Sequence, residues 1–198
     1  MMPARNEALT RWGVVSCEAV DYDTLHAGLS ELMTDEAAPA GTQSGLVERL
    51  RQAAGPLRRL VRDAVALART GEEAHRRDDQ WPHGLVDELE DLADTLEIHD
   101  VREDFAYSAT VELAPPGRRL AARMSAEHRC IRHRLESLRG LTGNFSAPAG
   151  ACTTWRLLYV LLTKAAFELE DRMAQEEARL YAPVLRNRTE PRGCRGAR

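Results

Sequence analysis

The chain has 198 residues, 43% hydrophobic and 29% charged, with a formal net charge of −4. That length supports one hydrophobic core with a short appendage, and mild acidity without a basic patch interleaved with aromatics excludes a nucleic-acid-binding surface. The longest apolar run, WRLLYVLL at 155–162, is too short to cross a bilayer, and no charged-then-apolar leader opens the chain; the expectation is a cytoplasmic protein without a membrane partner.

Helical patterning dominates from the start, and strand signals are nearly absent. Residues 3–33 read as a short helical N-terminal piece, followed by a soft linker, TDEAAPAGTQSG (34–45), rich in turn-forming residues. Only 21–45 and the HRRDDQ bend (75–80) resemble loops of any length. Four long amphipathic segments come next. In 46–68, Leu46, Leu50, Leu57, Leu60, Val61, Val65 and Leu67 fall near one stripe, with Pro56 expected to kink the helix or mark a late start. The second, 81–113, opens with Pro82 near a first-turn position and carries Leu85, Leu89, Leu92, Leu96 and Ile98 at helical spacing; APPG ends it. The third, 118–140, is stopped by Gly140, and the fourth runs from about Ala151 to Leu185. Long helices with short connections predict an all-α, antiparallel four-helix bundle at 44–187. A degenerate helical segment and linker (1–40) precede it, and a flexible tail (188–198) follows.

Bundles build metal sites from inward-facing histidines and carboxylates. His99 and Glu103 stand at i, i+4 and share a helix face. His128 lies among Met124, Ile131 and Leu135, the buried stripe of the third segment. In LEDRMAQEEARLY (169–181), Glu176 is in phase with Arg172, Leu169 and Leu180. Three helices therefore offer imidazole or carboxylate to one interior, a donor set suited to iron, manganese or zinc. Taken singly, a core histidine and a helical glutamate are ordinary residues. His26, His75, His83 and His133 read as surface or capping residues. Cys17, Cys130, Cys152 and Cys194 are scattered, without a C-x-x-C pair to hold zinc, and read as free thiols; Cys152 reads as a packing residue opening the fourth helix.

The stretches MSAEHRCIRHRLESLRGLT (124–142), LTGNFSAPAGA (141–151), CTTWRLLY (152–159) and PHGLVDELEDLADTLEIH (82–99) resemble the Repair of Iron Centers proteins, di-iron members of the hemerythrin-like superfamily. The resemblance covers roughly 46–185. RWGVVSCEAVDYDTL (11–25) is similar to a degraded form of that family's N-terminal domain, whose adjacent cysteine pair is lost: Cys17 is followed by Glu18. The family holds two irons with four histidines and two bridging glutamates. The resemblance implies His99, Glu103, His128 and Glu176 as retained metal ligands. Arg172 stands at the fourth-helix histidine position, and Arg51 near the first-helix one, since 27–74 contains no histidine.

Arginine at both places argues against a full di-iron centre, because a guanidinium repels a nearby cation and can neutralise a buried glutamate bidentately. Arg172 is expected to pair with Glu176, and Arg51 with Glu103 or Glu176. The implied function is that of a non-haem iron protein related to iron–sulfur cluster repair, holding one ion, two or none. It would act in nitric oxide or oxidative stress, with oxygen or nitric oxide as the small molecule and iron–sulfur proteins as partners. Two alternatives remain open at this point. One is a recruited enzyme whose His128 or His99 is a general base, with Arg51 and Arg172 holding a small anionic substrate. The other is a metal-free pseudo-site in a binding or regulatory protein.

Overall fold

Polar residues interrupt the apolar stripes of three bundle helices at one level, and that interruption organises the fold. The computed structural model describes residues 3–17, 19–33, 42–112 and 117–186; residues 34–41 of the expected linker (34–45), most of the APPG stop, Cys194 and the tail fall outside them. The described helices are α1 (Pro3–Arg11), α2 (Tyr22–Met33), α3 (Gln43–Ala74), α4 (Leu85–Glu112), α5 (Arg118–Leu141), α6 (Thr153–Glu176) and α7 (Ala182–Arg186). A π-helical turn, Glu177–Tyr181, joins α6 to α7. Among the described residues the only strand-like feature is an isolated antiparallel bridge, Val14 to Val20. Helix α3 packs on α4 and α6, and α4 on α5. Helix α5 closes the bundle against α6, the π turn and α7.

The larger core cluster holds Leu57 to Ala68 of α3, Leu85 to Leu96 of α4, Ile131 to Leu138 of α5 and Trp155 to Met173 of α6. A second, smaller cluster gathers Leu46, Val47 and Leu50 with Ala106, Tyr107, Ala121, Met124, Leu180 and Tyr181. Between the two lie the buried His99, Glu103, His128, Arg172 and Glu176. In an antiparallel bundle, breaks at matching heights become a single polar layer.

Several expectations shift. Helix α3 begins at Gln43, with the Thr42 hydroxyl accepting from Gly45 N at 3.2 Å, and runs through Pro56, which is therefore no late start. Proline costs that helix one hydrogen bond, which a 32-residue helix packed on two neighbours absorbs. Helix α4 begins at Leu85, so Pro82 precedes it instead of occupying its first turn. Ile98 is 53% exposed: it lies two residues past Leu96, on the opposite side of the helix. Gly140 is inside α5, which ends at Leu141, and Gly143, with φ +57°, supplies the left-handed residue beyond it.

The helical N-terminal piece consists of two helices, separated by a turn at Gly13 (φ +63°), where a Cβ would lie 2.5 Å from Asp21 O. Residues 22–33, within a stretch that read as loop, form α2, whose Leu25, Leu29 and Leu32 pack on the main core. The buried Asp63 of α3 accepts from Trp12 Nε1 at 2.9 Å and from Arg11 at 2.8 Å.

Candidate metal centre

Each carboxylate in the polar layer divides its two oxygens between different neighbours. Glu103 gives Oε2 to the Arg172 guanidinium, while Oε1 faces His99 Nε2 at 3.5 Å. Glu176 gives Oε1 to Arg172 Nε at 2.9 Å, while Oε2 faces His128 Nε2 at 3.1 Å. The glutamates thus bridge an imidazole-lined side and a guanidinium-filled side. On the imidazole side the donor atoms of His99, Glu103, His128 and Glu176 all lie within 4.8 Å of one another. Metal–nitrogen and metal–oxygen bonds of about 2.0–2.2 Å can close that span with small side-chain rotations.

A second carboxylate fixes each histidine from behind. His99 Nδ1 lies 3.1 Å from Glu127, and His128 Nδ1 lies 3.0 Å from Glu177. An ionised carboxylate only accepts hydrogen bonds, so these partners hold a ring proton on each Nδ1 and leave both Nε2 atoms facing inward. Glu127 is held by Arg102 at 2.7 Å and Arg123 at 3.1 Å, and Glu177 by Arg132 at 3.0 Å. For both acids these hydrogen bonds outweigh partial burial and hold the carboxyl below its usual range. The π turn contributes here. Its wider winding buries Leu180 and Tyr181 together, and Tyr181 OH reaches Glu103 Oε1 at 3.4 Å. π turns recur at functional sites for this reason.

His128 Nε2 and Glu176 Oε2 face each other, buried, without a hydrogen bond among the described residues. With the His128 proton on Nδ1, these are two acceptors in contact, which only a cation or a proton can reconcile. Without metal, a proton fills the role. Burial, with the Glu103 charge adding to it, raises the Glu176 carboxyl well above its normal value. Burial and the neighbouring His99 charge push His128 down to about 4. At His99, burial is outweighed by the contacts with Glu103 and Glu127, which raise it to about 8. Glu103 is held down against burial by His99 and Arg172 and stays ionised. Tyr107 and Tyr181 are raised by burial and the nearby carboxylates, so both remain protonated donors; Tyr107 OH donates to Glu176 Oε1 at 2.5 Å. The donor set fits one cation. On the other side the guanidinium, also 3.2 Å from Asp100, occupies the space between the carboxylates.

The structure therefore brings together His99, Glu103, His128, Glu176 and Arg172. Arg51 it does not: that side chain bonds Asp104 at 2.8 Å and lies over the Tyr107 ring, instead of reaching Glu103 or Glu176. From the outer rim a long side chain finds a carboxylate in water without desolvating its charge. Arg51 lines the mouth of a cavity of about 380 Å³ that runs past Ala54 and Arg58 to Glu103 and Arg172. Sequence reasoning missed Glu127, Glu177, Tyr107, Tyr181 and Asp100. Glu127 and Glu177 adjoin His128 and Glu176 in the chain, the one signal that could have drawn attention to them. His26, His83 and His133 are exposed, whereas His75, the C-cap of α3, also meets Cys17 and Cys152.

A helical bundle with a buried layer of paired histidines and glutamates defines a class of cation-binding domain. The hemerythrin HHE cation binding domain matches residues 45–184, and the chain belongs to that family. It is related to iron–sulfur cluster repair proteins. DnrN of Neisseria gonorrhoeae is 32% identical over 161 residues, covering 77% of this chain and 99% of that protein. YtfE of Edwardsiella ictaluri is 30% identical over 125 residues, 62% of this chain and 57% of that protein. YtfE of Musicola paradisiaca is 30% identical over 127 residues, again 57% of the relative. The chain thus spans less than two thirds of those two YtfE proteins. Among the described residues no helix is long and apolar enough to cross a membrane.

Proposed function

We propose that this chain is a hemerythrin-like iron protein with a reduced centre, in which His99, Glu103, His128 and Glu176 hold a single ion and Arg172 stands permanently in the second position. The observation that carries the reading is the division of the glutamate oxygens between two histidines and one guanidinium. With Glu103, Glu176 and the adjoining Asp100 ionised, Arg172 and one divalent ion bring the buried layer to neutrality. A second ion would leave positive charge with no carboxylate to meet it.

Iron bound there would supply redox chemistry and an open position for a diatomic ligand such as oxygen or nitric oxide. The chain's own residues set the surroundings. Glu127 and Glu177 orient the imidazoles, and Tyr107 and Tyr181 keep protonated hydroxyls on the carboxylates. The cavity beside Arg51, Arg58 and Arg172 leads from the surface to Glu103. The biological role follows the relatives, whose names are those of iron–sulfur cluster repair proteins: protection against nitric oxide or oxidative damage in the cytoplasm, with iron–sulfur proteins as partners. Residues 1–40 would act as an extension to the bundle (44–187), with α1 and α2 docked on it. The relatives favour this reading over a recruited enzyme or a metal-free pseudo-site.

The test is elemental analysis of protein produced with iron supplied and purified without chelator. About one iron per chain is expected, with His99→Ala and His128→Ala each abolishing it and Arg172→His raising the stoichiometry. Two irons in the unaltered protein would overturn the single-ion centre, and unchanged iron in both alanine variants would overturn the ligand set.

A further inference from the structure

A second convergence of metal-ligating side chains lies at the other end of the molecule, where the N-terminal extension meets the bundle. Cys17 Sγ is 2.8 Å from Cys152 Sγ, and His75 Nε2 is 3.3 Å from each sulfur. The three come from three separate segments. Cys17 lies in the turn between the bridged Val14 and Val20, His75 caps the C-terminus of α3, and Cys152 caps the N-terminus of α6.

We propose that Cys17, His75 and Cys152 form a zinc site that fastens the N-terminal extension to the bundle, with a fourth position open to solvent. Two thiolates and an imidazole are soft-to-borderline donors that favour zinc over magnesium or calcium. The two thiols each release a proton on binding, so the zinc, two thiolates and neutral imidazole sum to zero charge, which suits a half-buried site.

The surroundings are those of a ligand set. Asp78 Oδ2 lies 3.5 Å from His75 Nδ1, the side that must carry the ring proton if Nε2 is to bind. The imidazole is stacked on Trp81 at 5.7 Å and 11°, which sets its plane. Cys152 Sγ accepts from Trp155 N at 3.4 Å, which fixes the sulfur at the start of α6. Thr154 Oγ1 donates to Ser16 O at 3.4 Å, holding the Cys17 turn against α6. Bond lengths of about 2.3 Å to sulfur and 2.0 Å to nitrogen put sulfur and nitrogen about 3.5 Å apart around a tetrahedral ion, close to the observed 3.3 Å. The sulfurs would separate by about 1 Å from their present spacing to reach that geometry. A disulfide would need neither the imidazole equidistant from both sulfurs nor its carboxylate partner.

The proposal is independent of the iron reading, and its test keeps the two apart. Full-length protein is reduced, stripped with chelator and alkylated with and without zinc chloride, and labelling is read cysteine by cysteine by peptide mass spectrometry. Zinc should slow alkylation of Cys17 and Cys152 about tenfold or more and leave the exposed Cys130 unchanged. The same protection should persist in His99→Ala/His128→Ala protein, where the bundle centre has lost its imidazoles. Bound zinc should fall by about one per chain in Cys17→Ser and in Cys152→Ser. Equal labelling with and without zinc overturns the site, and so does unchanged zinc content in both serine variants. Formation of a Cys17–Cys152 disulfide in air under saturating zinc also overturns it. Because the labelling is done on the unaltered chain, a serine variant that fails to fold leaves the conclusion decidable.

Discussion

Replacing Arg172 by methionine keeps much of the side-chain volume and removes the charge that the two glutamates share. The guanidinium contacts Glu176 at 2.9 Å, Asp100 at 3.2 Å and Glu103, with its side chain 9% exposed. At an effective dielectric of about 20, one such contact is a gross attraction of about 5 kcal/mol. Most of that offsets desolvation, and the net loss has a ceiling, since an orphaned carboxylate takes up a proton. From its ordinary value of 4.5, protonating Glu103 at pH 7 costs about 3–4 kcal/mol, at about 1.4 kcal/mol per pH unit. The expected destabilisation of metal-free Arg172→Met is therefore about 3–4 kcal/mol at pH 7, falling to about 1 kcal/mol at pH 5. The sign follows from linkage. In the unaltered protein Glu103 is held below its ordinary value, and the stability it contributes is present above that value and lost only in acid. In the variant the native state binds a proton that the unfolded chain has released, so its stability falls as pH rises from 5 to 7. Urea unfolding followed by circular dichroism at both pH values measures this. A loss below about 1 kcal/mol at pH 7, or the same loss at both pH values, would refute the buried Arg172–Glu103–Glu176 network.

A similar linkage applies to His99 with the opposite sign. Its folded value of about 8 against an ordinary 6.5 makes the metal-free protein about 2 kcal/mol more stable below pH 6.5, and that increment disappears as pH rises through 8. Unfolding at pH 6 and pH 9 should show this slope in the unaltered protein and not in His99→Gln. Iron must displace the same proton, so its affinity should rise across the same window. Gly71→Ala tests packing near the cysteine cluster. The added Cβ would sit 2.2 Å from Trp81, which is buried against Trp155 and His75. A substitution that ordinarily stabilises a helix by up to about 1 kcal/mol should here cost about 2–3 kcal/mol, read as a lower urea midpoint; a neutral or stabilising result would mean that Trp81 is loosely held.

The bundle was legible because its signal is periodic. Leucines every three to four residues mark the faces of α3 to α6, and a polar break in the stripes of α4, α5 and α6 marks the level of the layer. Features that break the period were not legible. The π turn shifts the register by one residue after Glu176, so Tyr181 joins the buried face beside Leu180, which α-helical spacing does not predict. Arg51 illustrates a second limit. Spacing places a residue on a face but not the end of a six-atom side chain, and Arg51 turns to Asp104 at the rim. Glu127 and Glu177 were hidden by their own half-exposure, which makes them resemble any surface acid on a helix. Cys17, His75 and Cys152 were invisible for a third reason. They are separated by 58 and 77 residues, and their proximity depends on where the extension docks.

The two centres differ in what the protein alone supplies. In the bundle layer the arginine is covalently part of the chain, so one of the two positive charges needed by the glutamates is present at every metal concentration. The rest is supplied, without metal, by protons held on Glu176 and His99, which a metal would replace. In the proposed single-ion centre the layer would therefore exchange protons for a cation, and the fold would be expected to tolerate loss of metal. At the extension, by contrast, the polar contacts to the bundle include the Trp12 and Arg11 bonds to Asp63, the Ser16–Thr154 bond and the cysteine–histidine cluster, beside the apolar packing of Trp12, Leu25, Leu29 and Leu32. A cation there would act on the docking of α1 and α2 more than on the bundle, since His75 and Cys152 cap helix ends and Cys17 lies in the turn between α1 and α2. Chelation should consequently loosen the extension before it unfolds the bundle, and iron at the first centre should have little effect on that order.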